Sequence, residues 1–222
     1  MSSDRADTRQ LLDLSRYSSV RISERAKTIE LPAGSERKNR WDVLVPDGQV
    51  IAHLTNSTAQ TRKVSPGFGH RDQVDLFNTT GDHILSIKDR WTFSTTKYLV
   101  DSPDGQSMFK VQQRFAIFRR KFGISGDGGT ELRIEGSRIH RRTFKVYEGE
   151  RLIGKITKRF RCIRKSFRSN TGMFDVEILD PEADQQRRLK MLVTSFVVDH
   201  VSHKYCSIVW DAAFGGINNP GV

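Results

Sequence analysis

Residues 189–201, LKMLVTSFVVDHV, constrain the fold more than any other stretch of this chain. On a helical wheel their apolar side chains fall almost all round the helix, and the narrow polar stripe is Ser195, Asp199 and Ser202. A helix that is apolar on all sides is either buried at the centre of a protein or spans a membrane. This stretch is too short for a span, which needs about 20 apolar residues. We therefore predict a core helix over about residues 185–203, with Leu189, Leu192, Val193, Phe196, Val197 and Val201 as its core positions.

The sequence ahead of this helix has the pattern of short β-strands joined by tight turns. Residues 41–55 (WDVLVPDGQVIAHLT) predict a hairpin, because the Asp-Gly pair supplies the positive φ angles of a tight turn. Further hairpins are predicted at residues 74–91, 98–115, 122–136 and 144–160, and a last strand begins at residue 174. The units are unevenly spaced, which argues against a solenoid or a propeller. Since closure removes exposed strand edges, we predict a closed or nearly closed antiparallel barrel that wraps the helix.

Three motifs make the chain similar to a known family. They are YLVDSPDGQSMFKVQQRF at residues 98–115, FKVYEGERLIGKITKRF at 144–160, and FDVEILD at 174–180 followed by the apolar helix that ends in VVDHVSHK. In this order they resemble the LURP-one-related proteins, which share a superfamily with tubby C-terminal domains and phospholipid scramblases. The resemblance covers about residues 41–204. It implies a mainly β, tubby-like fold, a closed antiparallel barrel of about twelve strands around a central hydrophobic C-terminal helix.

We expect three segments along the chain. Residues 1–40 are polar and of mixed charge, so we expect a leader that is flexible or weakly docked. Residues 41–210 form the single barrel domain with its helix, and residues 211–222 form a C-terminal tail. The first residues contain no apolar signal sequence, and Cys162 and Cys206 do not form a CxxC pair. These features predict a monomeric cytoplasmic protein with free thiols and no transmembrane segment. Where it binds lipid, we expect it to be a peripheral membrane protein.

The positive charge is concentrated in residues 110–170. This region holds 18 Lys and Arg against 5 Asp and Glu, a net charge of +13, whereas the whole chain carries +11. Such a charge favours anionic partners, which include phospholipid headgroups, nucleic acid and acidic protein surfaces. Our candidate lipid- or anion-binding residues are Arg119, Lys121, Arg141, Arg142, Lys155, Arg159, Arg161, Arg164 and Lys165.

Strand geometry suggests how these cations could share one surface. Side chains alternate between the two faces of a strand. Along LIGKITKRFRC this alternation predicts that Lys155 and Arg159 lie on the outer face with Ile153, and that Leu152 and Ile156 lie on the inner face. Outer cations of adjacent hairpins would then form one basic face on the barrel.

Three interpretations of this basic face remain open. A lipid-docking surface is favoured by the charge, since each Lys or Arg near an anionic leaflet contributes about 1 kcal/mol, and the resemblance points to membranes too, because tubby domains bind phosphatidylinositol bisphosphate. The second is a scaffold domain whose basic face meets an acidic protein. The third is a solvated face without a dedicated ligand. Nucleic acid is disfavoured because the aromatic residues interleave with the core and no recognition motif is present.

An acidic cluster precedes the helix. It comprises Asp175, Glu177, Asp180, Glu182 and Asp184. Scramblases bind calcium in a related region, but the cluster lacks the spacing of a calcium loop and Pro181 interrupts it. Negative charge is favoured at a helix N-terminus, so we expect capping or surface acids here, with Asp184 as the N-cap.

The sequence offers little catalytic chemistry. His200 and His203, with Asp199, are too few for a metal site and suit the last turn of a helix. The chain has no GxSxG elbow, no P-loop and no HExxH motif, so we expect no enzyme, metal or cofactor. If Asp199 is buried it must be paired or protonated, and we expect it to pair with an inward arginine such as Arg120. Scramblase-like or another lipid-related activity is a further alternative.

Overall fold

In the computed structural model the chain forms twelve β-strands followed by one α-helix. The structure describes residues 12–24, 40–57, 73–91, 96–114, 121–126, 131–136, 142–160 and 172–214. The strands are β1 Ser19–Glu24, β2 Arg40–Leu44, β3 Val50–Asn56, β4 Gln73–Asn78, β5 His83–Trp91, β6 Thr96–Asp101, β7 Ser107–Arg114, β8 Lys121–Gly126, β9 Leu132–Gly136, β10 Thr143–Glu148, β11 Arg151–Phe160 and β12 Gly172–Ile178; the helix is α1 Gln185–Phe214.

Each strand is hydrogen-bonded to its neighbours in the sequence, and β1 pairs with β12 to close the barrel. All of these pairings are antiparallel, and every hairpin predicted from the sequence is present. The two PDG turns work as expected, because Gly48 and Gly105 adopt φ angles of 88° and 83° that an L side chain rarely adopts. The predicted closed, twelve-stranded, mainly β barrel is therefore confirmed.

The first strand lies ahead of residue 41, where we expected the barrel to begin. β1 pairs with β12 on one side and with β2 on the other, so the barrel closes through residues placed in the leader. Val20 and Ile22 point into the core, and Leu12 and Leu14 are buried ahead of them. The barrel therefore takes in residues 12–24, and the rest of the expected leader, residues 1–11 and 25–39, lies outside the described residues.

The predicted core helix is also confirmed. Every residue from 190 to 198 is buried, as is Val201, while Leu189 is partly buried against the core. Burial on all sides shows that the barrel surrounds this part of α1. The ring of Phe196 meets Trp41 of β2 edge-on, with ring centroids 5.0 Å apart. The helix continues to Phe214, beyond the boundary near 203 and into the expected tail.

Two hydroxyl groups inside the barrel, those of Thr194 and Ser195, are satisfied by the helix itself. The hydroxyl of Thr194 donates to the carbonyl oxygen of Lys190 at 2.6 Å, and that of Ser195 donates to Leu192 at 2.7 Å. Both side chains are fully buried, and this back-bonding to the preceding turn removes the cost of burying an unpaired hydroxyl. Ser195 can therefore sit on a helix that is enclosed all round.

The start of the helix is fixed by a cap and a clamp. Oδ1 of Asp184 accepts a hydrogen bond of 2.7 Å from the backbone nitrogen of Arg187, which confirms the predicted N-cap. The clamp is the buried guanidinium of Arg188. It donates to the carbonyl oxygens of Ala183 at 2.7 Å, Tyr17 at 2.7 Å, Pro181 at 3.0 Å and Leu14 at 3.2 Å. The Arg188 side chain thus joins the segment ahead of β1 to the turn that precedes the helix.

Candidate anion-binding surface

The region rich in Lys and Arg corresponds to strands β7 to β12 and the segments between them. Consecutive strands are antiparallel, so β7, β9 and β11 all end at the same rim of the barrel. We call this the basic rim and define it by the ends of β7, β9 and β11, at Arg114, Gly136 and Phe160. The segments that lead to β8, β10 and β12 attach there, and the helix enters from the opposite rim.

The candidate residues divide into two groups. Arg119, Arg141, Arg161, Arg164 and Lys165 lie outside the described residues, in the segments that attach to the basic rim. Lys121, Arg142, Lys155 and Arg159 lie on described strands or beside them. Arg142 is exposed just before β10, and its carbonyl oxygen accepts a hydrogen bond of 2.8 Å from the Lys158 nitrogen.

Three ion pairs join the β11 region to β12 and the turn that follows it. We call them the β11–β12 ladder, and they are Arg151–Asp180, Lys155–Glu177 and Arg159–Asp175. Nζ of Lys155 lies 3.3 Å from Oε2 of Glu177. Register explains the middle pair, because Lys155 and Glu177 are directly opposite on antiparallel strands, where opposite charges stabilise a sheet. Three of the five acidic residues ahead of the helix, Asp175, Glu177 and Asp180, are thus the counter-charges of cations on β11.

Asp175 holds the ladder to the first strand as well. Its Oδ1 accepts a hydrogen bond of 2.6 Å from Nε of Arg21 on β1, while Oδ2 meets Arg159 on β11. The residue is buried, although both arginine side chains are substantially exposed. One carboxylate therefore joins three adjacent strands at the seam where the barrel closes.

A second group of ion pairs involves β8 and β9. Lys121 lies 3.2 Å from Glu135, which is its register partner, and Arg133 lies 3.8 Å from the same carboxylate. Arg114 at the end of β7 pairs with Glu131. Lys121, Lys155 and Arg159 are all partly exposed, and each already pairs with a carboxylate.

The predicted faces of β11 are correct for the cations and wrong at the start of the strand. Leu152 is 39% exposed and Ile153 is buried, which is the reverse of the expectation. The cause is a bulge, since the pairing of β10 with β11 shifts register between Val146 and Tyr147. The extra residue restores the expected alternation from Lys155 onward.

Four of the five carboxylates of the acidic cluster have side-chain or backbone partners. Asp175, Glu177 and Asp180 belong to the ladder, and Asp184 caps the helix. Across the part of the chain that the structure describes, no group of three or more His, Cys, Asp or Glu is placed to hold a metal ion. The side chains of Asp199, His200 and His203, and the proposed partner Arg120, lie outside the described residues.

The sequence analysis did not single out Lys97 and Lys110 on the outer face of β6 and β7. Both side chains line a groove of about 400 Å³ on the outside of the barrel. Within the described ranges neither lysine forms an ion pair with a carboxylate. Alternation along MFKVQQRF predicts that Lys110 points outward, because its neighbours Phe109 and Val111 point inward. Alternation does not show that Lys121 has a carboxylate partner, Glu135 on the next strand, and that Lys110 has none among the described residues.

Comparisons with known proteins identify the family. Among the described residues, no helix is long and apolar enough to cross a membrane. No curated protein and no solved structure matches the chain. A family model described as Scramblase matches residues 3–204, which is most of the chain and includes every strand described above. The superfamily resemblance inferred from the motifs is confirmed, and the chain belongs to the scramblase family.

Proposed function

We propose that this chain docks on membrane surfaces rich in anionic phospholipid, through cations of residues 110–170 that the barrel does not neutralise. The observation that carries the proposal is the division of charge within this region. At least six of its ten described Lys and Arg form ion pairs with carboxylates, three of them in the β11–β12 ladder. We therefore assign docking to Lys and Arg of this region that lie outside these ion pairs.

The segments that attach to the basic rim hold further cations of this region. Residues 115–120, 137–141 and 161–171 together hold eight Lys and Arg and no Asp or Glu. They include Arg119, Arg141, Arg161, Arg164 and Lys165. If four of them reach an anionic leaflet, they contribute about 4 kcal/mol, which raises the affinity about a thousandfold.

Membership of the scramblase family agrees with a lipid role. This is not a classical enzyme family, and the proposal requires no chemical step. A phosphoinositide headgroup carries more negative charge than phosphatidylserine, so it would attract the same cations more strongly. An acidic protein surface would satisfy the same charges and is the alternative that the experiment must separate.

The test is co-sedimentation of the full chain with vesicles of phosphatidylcholine, phosphatidylserine or phosphoinositide, at low salt and at about 0.15 M salt. The informative variant carries Arg161→Ala, Arg164→Ala and Lys165→Ala. Lys155 and Arg159 are left intact, because replacing them would break the β11–β12 ladder and confuse binding with stability. The matched control removes three cations outside residues 110–170 and ahead of β1, which begins at the opposite rim, by Arg5→Ala, Arg9→Ala and Arg16→Ala.

We expect binding to anionic vesicles that persists at about 0.15 M salt. It should fall at least tenfold in the first variant and little in the control. Equal losses in both variants would show a generic charge effect and contradict the proposal. Absence of binding to all three vesicle types would also contradict it and favour the acidic protein partner.

Movement of lipid between leaflets is a second candidate, favoured by the family match. It can be measured with vesicles that contain a fluorescent lipid, by following the fraction of the label that becomes accessible to an external reductant. If the chain only docks, the accessible fraction stays at one half, which is the share of the labelled lipid in the outer leaflet.

A further inference from the structure

Two exposed apolar side chains lie next to one another on the outside of the barrel, near the rim where the helix enters. Leu152 on β11 is 39% exposed and Leu179, just after β12, is 49% exposed. No other large apolar residue among those whose side chains are described is as exposed. The backbone nitrogen of Leu179 donates to the carbonyl oxygen of Ile153 at 2.9 Å, so the two leucines are neighbours across the strands. Together they form an apolar surface without a cover in the single chain.

The bulge in β11 is the reason that Leu152 faces outward. Tyr147 on β10 pairs with Leu152 and Val146 pairs with Gly154, so Ile153 has no partner on β10. This extra residue turns Ile153 inward and Leu152 outward, against the regular alternation of the strand. Bulges of this kind often redirect a side chain at a functional position. The leucine that it exposes is stabilised when another surface covers it.

Charged side chains lie on both sides of Leu152 along the strand. Glu150, two residues before it, has a side chain that is 93% exposed. Lys155, whose side chain is 40% exposed, lies two register positions beyond it, because Lys155 is opposite Lys145 and Leu152 is opposite Tyr147. We call Glu150, Leu152 and Lys155 the β11 strip. It reads negative, apolar and positive, with the two charges about 7 Å on either side of the leucine.

Both charges of the β11 strip are held only by exposed ion pairs. Glu150 lies 3.5 Å from Arg133, and Lys155 lies 3.3 Å from Glu177. Exposed pairs of this kind contribute little to stability, so either charge can take a new partner at small cost. The order of charges along the strip is complementary to its own reverse, which is the property that a two-fold symmetric contact requires.

We propose that two copies of the chain pair through the β11 strip, about a two-fold axis that crosses β11 at Leu152, in place of the monomer that the sequence led us to expect. The two strips run antiparallel, so Glu150 of each copy meets Lys155 of the other, while Leu152 and Leu179 each meet their own counterpart. A small apolar centre with a charged periphery is typical of a weak, transient contact. The inference does not depend on membrane docking, because the β11 strip lies at the opposite end of the strand from the basic rim.

The test is sedimentation velocity of the full chain over a series of concentrations up to about 0.5 mM. Leu152→Asp puts two negative charges together at the axis, and the side chain is exposed, so the fold should be kept. Glu150→Lys and Lys155→Glu each place like charges against one another twice in a dimer, whereas an equal mixture of the two variants restores both opposite pairs. Asp104→Lys is the matched control, because it reverses an exposed charge on another turn at the same rim. Thermal unfolding first shows that each variant is folded.

We expect the wild-type chain and Asp104→Lys to form dimers as the concentration rises. Association should be at least tenfold weaker in Leu152→Asp and about fivefold weaker in each strip charge variant alone, and the equal mixture should associate like the wild type. A mixture that associates no better than its components, or dimers that persist in Leu152→Asp, would overturn the two-fold pairing. A wild-type chain that stays monomeric at about 0.5 mM would overturn the second copy as the partner and point to a different protein on the β11 strip. Vesicle binding of Leu152→Asp, measured in parallel, bears on the membrane docking alone.

Discussion

The Sδ atom of Met191, on the helix inside the barrel, lies 2.6 Å from the position that a Cβ atom on Gly154 would occupy. The same position is 3.0 Å from the carbonyl oxygen of Glu177 on the neighbouring strand. Gly154 is therefore the place where β11 passes so close to α1 that no side chain fits. The IGKITKRF motif, which contributes to the family resemblance, has a steric reason for its glycine.

The first prediction concerns this contact. We expect Gly154→Ala to lower the free energy of unfolding by about 1–3 kcal/mol, because the methyl group must displace Met191 or the strand. Denaturation by urea measures the change. In a double-mutant cycle, Gly154→Ala with Met191→Ala should cost less than the sum of the single changes, since the smaller side chain makes room. Additive costs would show that Met191 is not what excludes the side chain.

The second prediction concerns the clamp formed by Arg188. Arg188→Met keeps the length of the side chain but leaves four carbonyl oxygens without their donor, so we expect a loss of about 3 kcal/mol or more. Arg16→Met is the control, because Arg16 is largely exposed and pairs only with Asp13 at 3.2 Å among the described contacts. That change should stay within about 0.5 kcal/mol. A loss below about 1 kcal/mol in Arg188→Met would contradict the clamp.

The third prediction ranks the ion pairs of the β11–β12 ladder. Asp175→Asn removes the charge that Arg21 and Arg159 share, and we expect a loss of about 2 kcal/mol. Glu177→Gln, on the same strand, should cost less than about 1 kcal/mol because its pair with Lys155 is more exposed. Thermal and urea unfolding of the two variants provide the comparison. Equal effects would mean that Asp175 does not join the three strands as described.

The fourth prediction concerns Lys190, near the start of the helix. Burial lowers the pKa of its ammonium group below the ordinary value of 10.5, with a smaller contribution in the same direction from Arg187, while Asp184 and Glu148 act in the opposite direction. Between the folded-state pKa and 10.5 the unfolded chain binds more protons than the folded chain. The free energy of unfolding contributed by this group therefore rises with pH in that window.

Lys190→Met removes this titration and keeps most of the apolar stem. We expect the variant to be more stable than the wild type at neutral pH, with a difference that shrinks as the pH approaches 10.5. Urea unfolding at a series of alkaline pH values measures it. A difference independent of pH would show that Lys190 keeps an ordinary pKa in the folded chain.

The sequence predicts the barrel and its helix well because both depend on local patterns. Alternation and Asp-Gly turns define the hairpins, and the all-round apolar wheel of residues 189–201 identifies the core helix. β1 was missed because SVRISE offers a strand of only six residues, with Val20 and Ile22 as its inward pair, in a polar context. Its place is decided by pairing with β12, a partner more than 150 positions away in the chain.

The ion pairs could not be predicted for a related reason. The acidic cluster and the basic strand each looked like a separate surface in the sequence, and only the register shows that Glu177 faces Lys155. The bulge opposite Tyr147 adds one residue to β11 and so reverses the faces of Leu152 and Ile153. Charge neutralisation across strands is a tertiary property, and because of it we assign binding to cations outside these ion pairs.

The most direct test of membrane docking is the salt dependence of binding of the wild-type chain to vesicles that contain phosphatidylserine, against vesicles of phosphatidylcholine alone. We predict that phosphatidylserine vesicles retain the chain at about 0.15 M salt, with an affinity that falls steadily as salt increases, while phosphatidylcholine vesicles do not retain it. Equal retention by both vesicles, or no retention by either at low salt, would contradict the account.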